Sequence, residues 1–246
     1  MRWLRGHPVA TRLAIVLVAL LVAAGAAAVL DGRDQPDPAV THADRGLPYV
    51  ALTFDDGLNG ATTSAVADLL EQYDMRGTFF VVGQTLDAQV ALARQLMERG
   101  HLIGNHSYDH VRADPRDTDY SELQRAEIEF KRTIDVCPRL FRPPFGAETP
   151  FTKAAVRRAG MRTVLWDVEV ADWSETDPAR LASHVLEAVR PGSIVLLHDG
   201  SDGQPGADRS VLLAALPTIL AGLRDRGLQG VTVDRLLGAP GYLEAC

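Results

Sequence analysis

Residues 49–57 read Tyr49-Val50-Ala51-Leu52-Thr53-Phe54-Asp55-Asp56-Gly57. A run of strand-forming residues stops there at two adjacent carboxylates and a glycine, the pattern of a buried strand entering a turn. Side chains alternate across a strand, but a turn at its end can bring both carboxylates to one cavity. One of them can then hold a metal while the other takes a proton. Taken alone, the same residues suit an acidic turn between a strand and a helix equally well. The surrounding chain separates the two readings.

Downstream, strands and helices alternate. Strands are expected at 49–54, 78–82, 101–104, 140–142, 162–168, 193–197 and 230–233, from short apolar runs bounded by turn residues. Helices are expected at 62–73, 85–99, 118–136, 149–159, 177–190 and 209–226, from apolar residues at helical spacing. Gly100 and Gly160 follow two of them as carboxyl caps, and Pro178 suits a first turn. Such alternation over some 200 residues means a mostly parallel α/β sheet, closed or open. Asp55, His106, Arg142, Asp172 and His198 all fall at or just past the carboxyl ends of expected strands. In parallel α/β folds that rim is where active sites form.

Upstream, the character changes. Arg2, Arg5 and Arg12 precede residues 13–30, which contain no charged residue. At about 1.5 Å per residue this run makes a helix of roughly 27 Å, enough for the hydrocarbon core of a bilayer. Arginines before it and Asp31 and Asp34 after it place residues 1–12 in the cytoplasm and everything beyond 30 outside. The run reads as a retained membrane anchor, because it is long for a cleavable signal. Cleavage near Ala26-Ala27-Ala28 is the alternative, and the protein would then be secreted. Residues 31–47, rich in Asp, Pro and Gly, read as a linker, with the domain occupying 48–246.

Residues 1–30 hold three of the 25 basic residues and none of the 32 acidic ones, so the remainder carries 22 − 32 = −10. A nucleic-acid partner is excluded by that balance, as is attraction to anionic lipid. Two cysteines, Cys137 and Cys246, permit a disulfide outside the cytoplasm without requiring one.

His106 and His110 are four residues apart, which brings both imidazoles to one side of a helical turn or tight loop. With a strand-end aspartate as a third ligand they match a catalytic zinc site, which keeps one position open for water. His7 and His42 fall outside the expected domain, and His101 and His184 have no such company.

The chain resembles the polysaccharide deacetylases of the NodB-homology family, carbohydrate esterase family 4. The resemblance rests on five segments in order: Thr53-Phe54-Asp55-Asp56-Gly57, His106-Ser107-Tyr108-Asp109-His110, Arg142-Pro143-Pro144-Phe145-Gly146, Asp172-Trp173 and Leu196-Leu197-His198. It implies a distorted (β/α) barrel with seven or so strand–helix units. It also implies a divalent metal, expected to be Zn2+, on Asp56, His106 and His110. Asp55 would be the general base, held ionised and oriented by Arg142. His198 would be the general acid, kept charged by Asp172. The backbone N–H of Phe145 would receive negative charge developing on the substrate oxygen, while Trp173 and Leu196 would line a slot for the acetyl methyl. Three positions depart from the family pattern: Leu58 replaces a common proline, Phe145 a common tyrosine, and Glu169 a common aspartate. The expected partner is an acetylated glycan, peptidoglycan first because an anchored catalyst meets the wall before any diffusible polymer. Chitin-type oligosaccharides and O-acetyl xylan follow, with a silent glycan-binding domain as the rival class.

Overall fold

Strand β1 (Tyr49–Asp55) runs through the middle of a parallel sheet in the computed structural model, which describes residues 39–246. After it come helix α1 (Gly60–Gln72), strand β2 (Thr78–Val81), helix α2 (Val90–Glu98) and strand β3 (Leu102–Asn105). Helix α3 (Ser121–Ile134), strand β4 (Leu140–Phe141), helix α4 (Pro150–Arg158) and the short strands β5 (Arg162–Thr163) and β6 (Val168–Glu169) follow. Helix α5 (Pro178–Ala188), strand β7 (Ile194–His198), helix α6 (Ser210–Asp225), strand β8 (Gln229–Gly230) and helix α7 (Val233–Leu237) complete the order. The strand order is β5-β4-β3-β2-β1-β7-β6, all parallel, with β8 also paired to β1. This is the parallel α/β sheet that the alternation implies, in the incomplete, distorted (β/α) barrel form that the resemblance implies.

The period-two alternation of β1 sorts its residues between two environments. Val50, Leu52 and Phe54 pack outward with α1 and α6 residues such as Val66, Leu70, Leu216 and Leu220 in the main core. Ala51 points the other way, into a second cluster with Phe80, Val164 and Ile194. Thr53 and Asp55 share that inner face and meet Arg142 there. Each large side chain removed from water stabilises the fold by about 1.5–3 kcal/mol, so this register is strongly held.

Four expectations are corrected. Residues 39–47 are not a free linker. Val40 is buried and bridges Val164, just past β5, while His42 bridges Ser193, just before β7, so this segment is tied to two strands of the sheet. His42 therefore belongs to the domain. The helix expected over 85–99 begins only at Val90, after two short 3-10 turns. Thr85 and Gln89 are occupied elsewhere: Leu58 N donates to Thr85 Oγ1, and Gln89 Nε2 donates to the Leu58 carbonyl. The strand expected over 162–168 is split into β5 and β6. Between them the carbonyls of Val164 and Leu165 leave the sheet and accept from the Arg142 guanidinium. The last strand stops at Gly230, because Val233 N turns to donate to Thr78 Oγ1 and opens α7.

Cys137 and Cys246 are joined in a disulfide, with their Cα atoms 5.2 Å apart. The expected membrane span at 13–30 lies outside the described residues. Among the described residues, no helix is long and apolar enough to cross a membrane.

Candidate active site at the carboxyl rim of the sheet

Asp55 ends β1, and Asp56 follows with φ of 70°, a left-handed conformation that swings its carboxylate back over the sheet. Strand β3 delivers His106, after which Ser107 and His110 also take positive φ. That loop is held from within. Ser107 N donates to Asn105 Oδ1, and His110 N donates to Ser107 Oγ. The histidine pair thus lies on a tight loop, not on a helical turn.

The result is a buried cluster of Asp56, His106 and His110, whose candidate ligand atoms all lie within 4.8 Å of one another. Asp56 Oδ1 is 3.4 Å from His106 Nε2 and 3.0 Å from His110 Nε2. Burial alone would push the Asp56 carboxyl up, but the two imidazoles beside it more than offset this and hold it well below the usual carboxylate range. His106 Nδ1 lies 2.8 Å from the Arg142 carbonyl oxygen. A carbonyl only accepts, so Nδ1 carries the proton and Nε2 presents its lone pair to the cluster. One carboxylate oxygen and two imidazole nitrogens so arranged fit a divalent cation of the zinc type.

Two ion pairs flank the cluster. Arg142 is fully buried; its NH1 donates to Asp55 Oδ1 at 2.7 Å and to Thr53 Oγ1 at 2.8 Å. Its remaining donors reach Val164 and Leu165, and its guanidinium lies 4.1 Å from the centre of the Phe80 ring. The other Asp55 oxygen is turned towards the cluster, 3.7 Å from His106 Nε2. On the neighbouring strand, His198 is the register partner of Asp55. Its Nδ1 donates to Asp172 Oδ1 at 2.8 Å and its backbone N to Asp172 Oδ2 at 2.9 Å. Asp172 therefore holds the ring and is not a helix cap, a task that falls to Asp177. Burial pulls the His198 pKa down, but the Asp172 carboxylate and the nearby Asp55 and Asp56 hold it above its ordinary value.

A cleft of about 430 Å³ opens over these groups. Leu196, almost fully buried, sits on its floor, and Trp173, 48% exposed, stands at its edge against the His198 ring. Phe145 has φ of 59°, its ring is exposed beside His110, and its N–H donates to no group among the described residues. Glu169 lines the same cleft and accepts from Trp166 Nε1 at 3.0 Å. All ten residues singled out from the sequence meet at this rim.

Some neighbours went unnoticed. Asp199 is buried beneath the Asp55–Asp56–Gly57 turn, where Thr63 Oγ1 donates to it and burial pushes its pKa up to about 7. Its carboxylate fills the space a side chain on Gly57 would need. Asn59 donates to the carbonyls of Asp199 and Ala207 and accepts from Gly206 N, pinning the loop after β7. Asp202 on that loop lies 2.7 Å from His110 Nδ1. The signal for the last was a carboxylate in the Gly/Asp-rich stretch after His198, which sequence distance from His110 concealed.

A rim of this kind, on this barrel, belongs to a hydrolase. The sequence signature of the polysaccharide deacetylases matches residues 42–164. A peptidoglycan-N-acetylglucosamine deacetylase from Bacillus cereus is 36% identical over 76% of this chain and 87% of its own length. A chitooligosaccharide deacetylase from a Bradyrhizobium species is 35% identical over 75% of this chain and 88% of its own. The solved structure of a peptidoglycan N-acetylglucosamine deacetylase bound to an N-oxidanyl-benzamide superposes with a TM-score of 0.77 at 25% identity, covering 83% of this chain and 95% of that one. The chain belongs to the polysaccharide deacetylase family. It is a glycan deacetylase, a hydrolase of carbon–nitrogen bonds.

Proposed function

We propose that this chain is a divalent-metal-dependent deacetylase of N-acetyl amino sugars in peptidoglycan, working outside the cell membrane with residues 13–30 as its anchor. The observation that carries the chemistry is the pair of supported side chains, Arg142–Asp55 and Asp172–His198, set on adjacent strands beside the Asp56–His106–His110 cluster.

Asp56, His106 and His110 would hold the cation, expected to be Zn2+. Bound there, it would act as a Lewis acid, lowering the pKa of water and polarising the acetyl carbonyl. Asp55, through the oxygen not bonded to Arg142, takes the proton of the attacking water. Arg142 fixes the orientation of that carboxylate. The N–H of Phe145 donates to the oxygen on which negative charge develops. His198, protonated and held by Asp172, gives a proton from Nε2 to the departing amine, without which an amide does not release acetate. Leu196 and Trp173 form apolar surface for the acetyl methyl.

Peptidoglycan is favoured by the Bacillus cereus relative and by the run of apolar residues that would keep the domain beside the wall. The Bradyrhizobium relative supports soluble chitooligosaccharides as the second reading. Acetate release by the full chain from purified peptidoglycan and from chitooligosaccharides, with and without a chelator, tests the proposal. Faster release from peptidoglycan that is lost on chelation and restored by Zn2+ is expected. Release that survives chelation would sink the metal assignment, and a preference for the soluble oligosaccharide would sink the substrate. Fractionation of cells expressing the full chain checks the anchor, because a soluble extracellular form starting near Val29 would show cleavage instead.

A further inference from the structure

Three ligands are proposed for the cation, yet only one of the two imidazoles has an aligned hydrogen bond on its second ring nitrogen. A ligating histidine needs its second ring nitrogen fixed, because a donor–acceptor contact there sets the tautomer and the ring angle. His106 has the Arg142 carbonyl for this purpose. Among the described residues, no backbone carbonyl accepts from His110. Its Nδ1 is buried and makes no aligned hydrogen bond, although a carboxylate oxygen of Asp202 stands 2.7 Å away. That separation is of hydrogen-bond length while the alignment is poor, and rotation of the exposed Asp202 side chain is the motion that would bring the two into line.

We infer that Asp202 is a positioning residue for the metal centre, holding His110 as the Nδ1–H tautomer with Nε2 turned to the cation. The inference rests on the metal reading of the Asp56–His106–His110 cluster. Three features of the loop after β7 support it. Asp202 has φ of 47°, a conformation that non-glycine residues seldom adopt and that aims its side chain back over the cleft. The next residue, Gly203, donates its N–H to the carbonyl of Asp56, so two successive residues engage two of the three ligands. The loop is itself held at both ends, by Asn59 and by Arg209, whose guanidinium donates to the Gly200 carbonyl. The tethered backbone keeps this carboxylate beside His110, although the side chain is 59% exposed. The loop after β7 is thus part of the metal site, although it supplies no ligand.

Affinity of the full chain for Zn2+, measured by competition with a chromophoric chelator, tests this without relying on turnover. Asp202→Asn keeps the size of the side chain but lets it turn a donor towards Nδ1–H, and a 10- to 100-fold weaker affinity is expected. Asp202→Glu should recover part of the loss. Asp208→Asn, on the same loop, should leave affinity unchanged, since Asp208 accepts from Ser210 at the start of α6 and lies outside the cleft lining. The absorption spectrum of the Co2+-substituted chain should shift for Asp202→Asn and not for Asp208→Asn. Affinity within threefold of the parent for Asp202→Asn would overturn the inference, as would equal losses in both variants, which would make the loop's folding responsible. If the parent chain itself binds no Zn2+, the metal reading fails and not merely the role of Asp202.

Discussion

His198 and Asp55 sit side by side on adjacent strands, and their supports divide their tasks. Asp172 favours the charged imidazole, so the acid persists to higher pH than in a free histidine and is lost as pH rises through the raised pKa of His198. Asp172→Asn removes the hydrogen-bonded carboxylate, and the alkaline limb of the rate profile should move to lower pH. An unmoved limb would assign the acid to another group. His198→Ala should cost about 10²- to 10⁴-fold on an N-acetyl substrate, whose amine needs a proton. On an aryl acetate, which departs as a stable phenolate, the same variant should recover much of its rate, whereas equal losses on both substrates would refute the assignment. These residues were legible because short motifs mark them. Asp199 and Asp202 were not, since each acts on a partner far away in sequence and neither stands in a pattern that spacing reveals.

At the scale of the element, most strands and helices follow from periodicity, and two of the three failures share one cause. Thr85, Gln89, Val164 and Leu165 all interrupt expected regular structure because their polar groups serve the rim. Propensity cannot show that a carbonyl will be needed by an arginine in another strand. Strand β3 gives the opposite case, a residue whose identity the packing explains. A Cβ on Gly104 would lie 2.6 Å from the Phe80 ring, and that ring is fully buried under the Arg142 guanidinium. The ring has nowhere to retreat without displacing the arginine that orients Asp55. Gly104→Ala should therefore cost about 1–3 kcal/mol in urea unfolding. It should also lower kcat more than a stability loss of that size explains, because the chain remains folded under assay conditions. A variant as active as the parent would show that Arg142 tolerates the shift.

For the whole molecule, the disulfide bears on both stability and compartment. The carboxyl terminus returns beside the segment entering β4: Arg139 N donates to the Gly241 carbonyl and Leu243 N to the Cys137 carbonyl. Cys137–Cys246 then closes a loop across 109 residues of sequence. A loop of that length lowers the entropy of the unfolded chain by the equivalent of about 4–5 kcal/mol in the simplest treatment. The tail keeps its backbone hydrogen bonds when the bridge is absent, and reduced chains retain structure, so Cys246→Ser should lose about 2–4 kcal/mol in urea unfolding. Turnover should hardly change, because Cys137 precedes β4 at the amino-terminal ends of the strands, away from the rim where His106 and His198 meet. Such a bond persists only in an oxidising compartment. Full-length protein recovered from its native location should accordingly show no alkylatable thiol until it is unfolded and reduced, while a chain lacking residues 1–30 and retained in the cytosol should show two. Two free thiols in the full-length protein would contradict the proposed location outside the membrane, and equal stability of Cys246→Ser and parent would show that the bridge does not hold the tail.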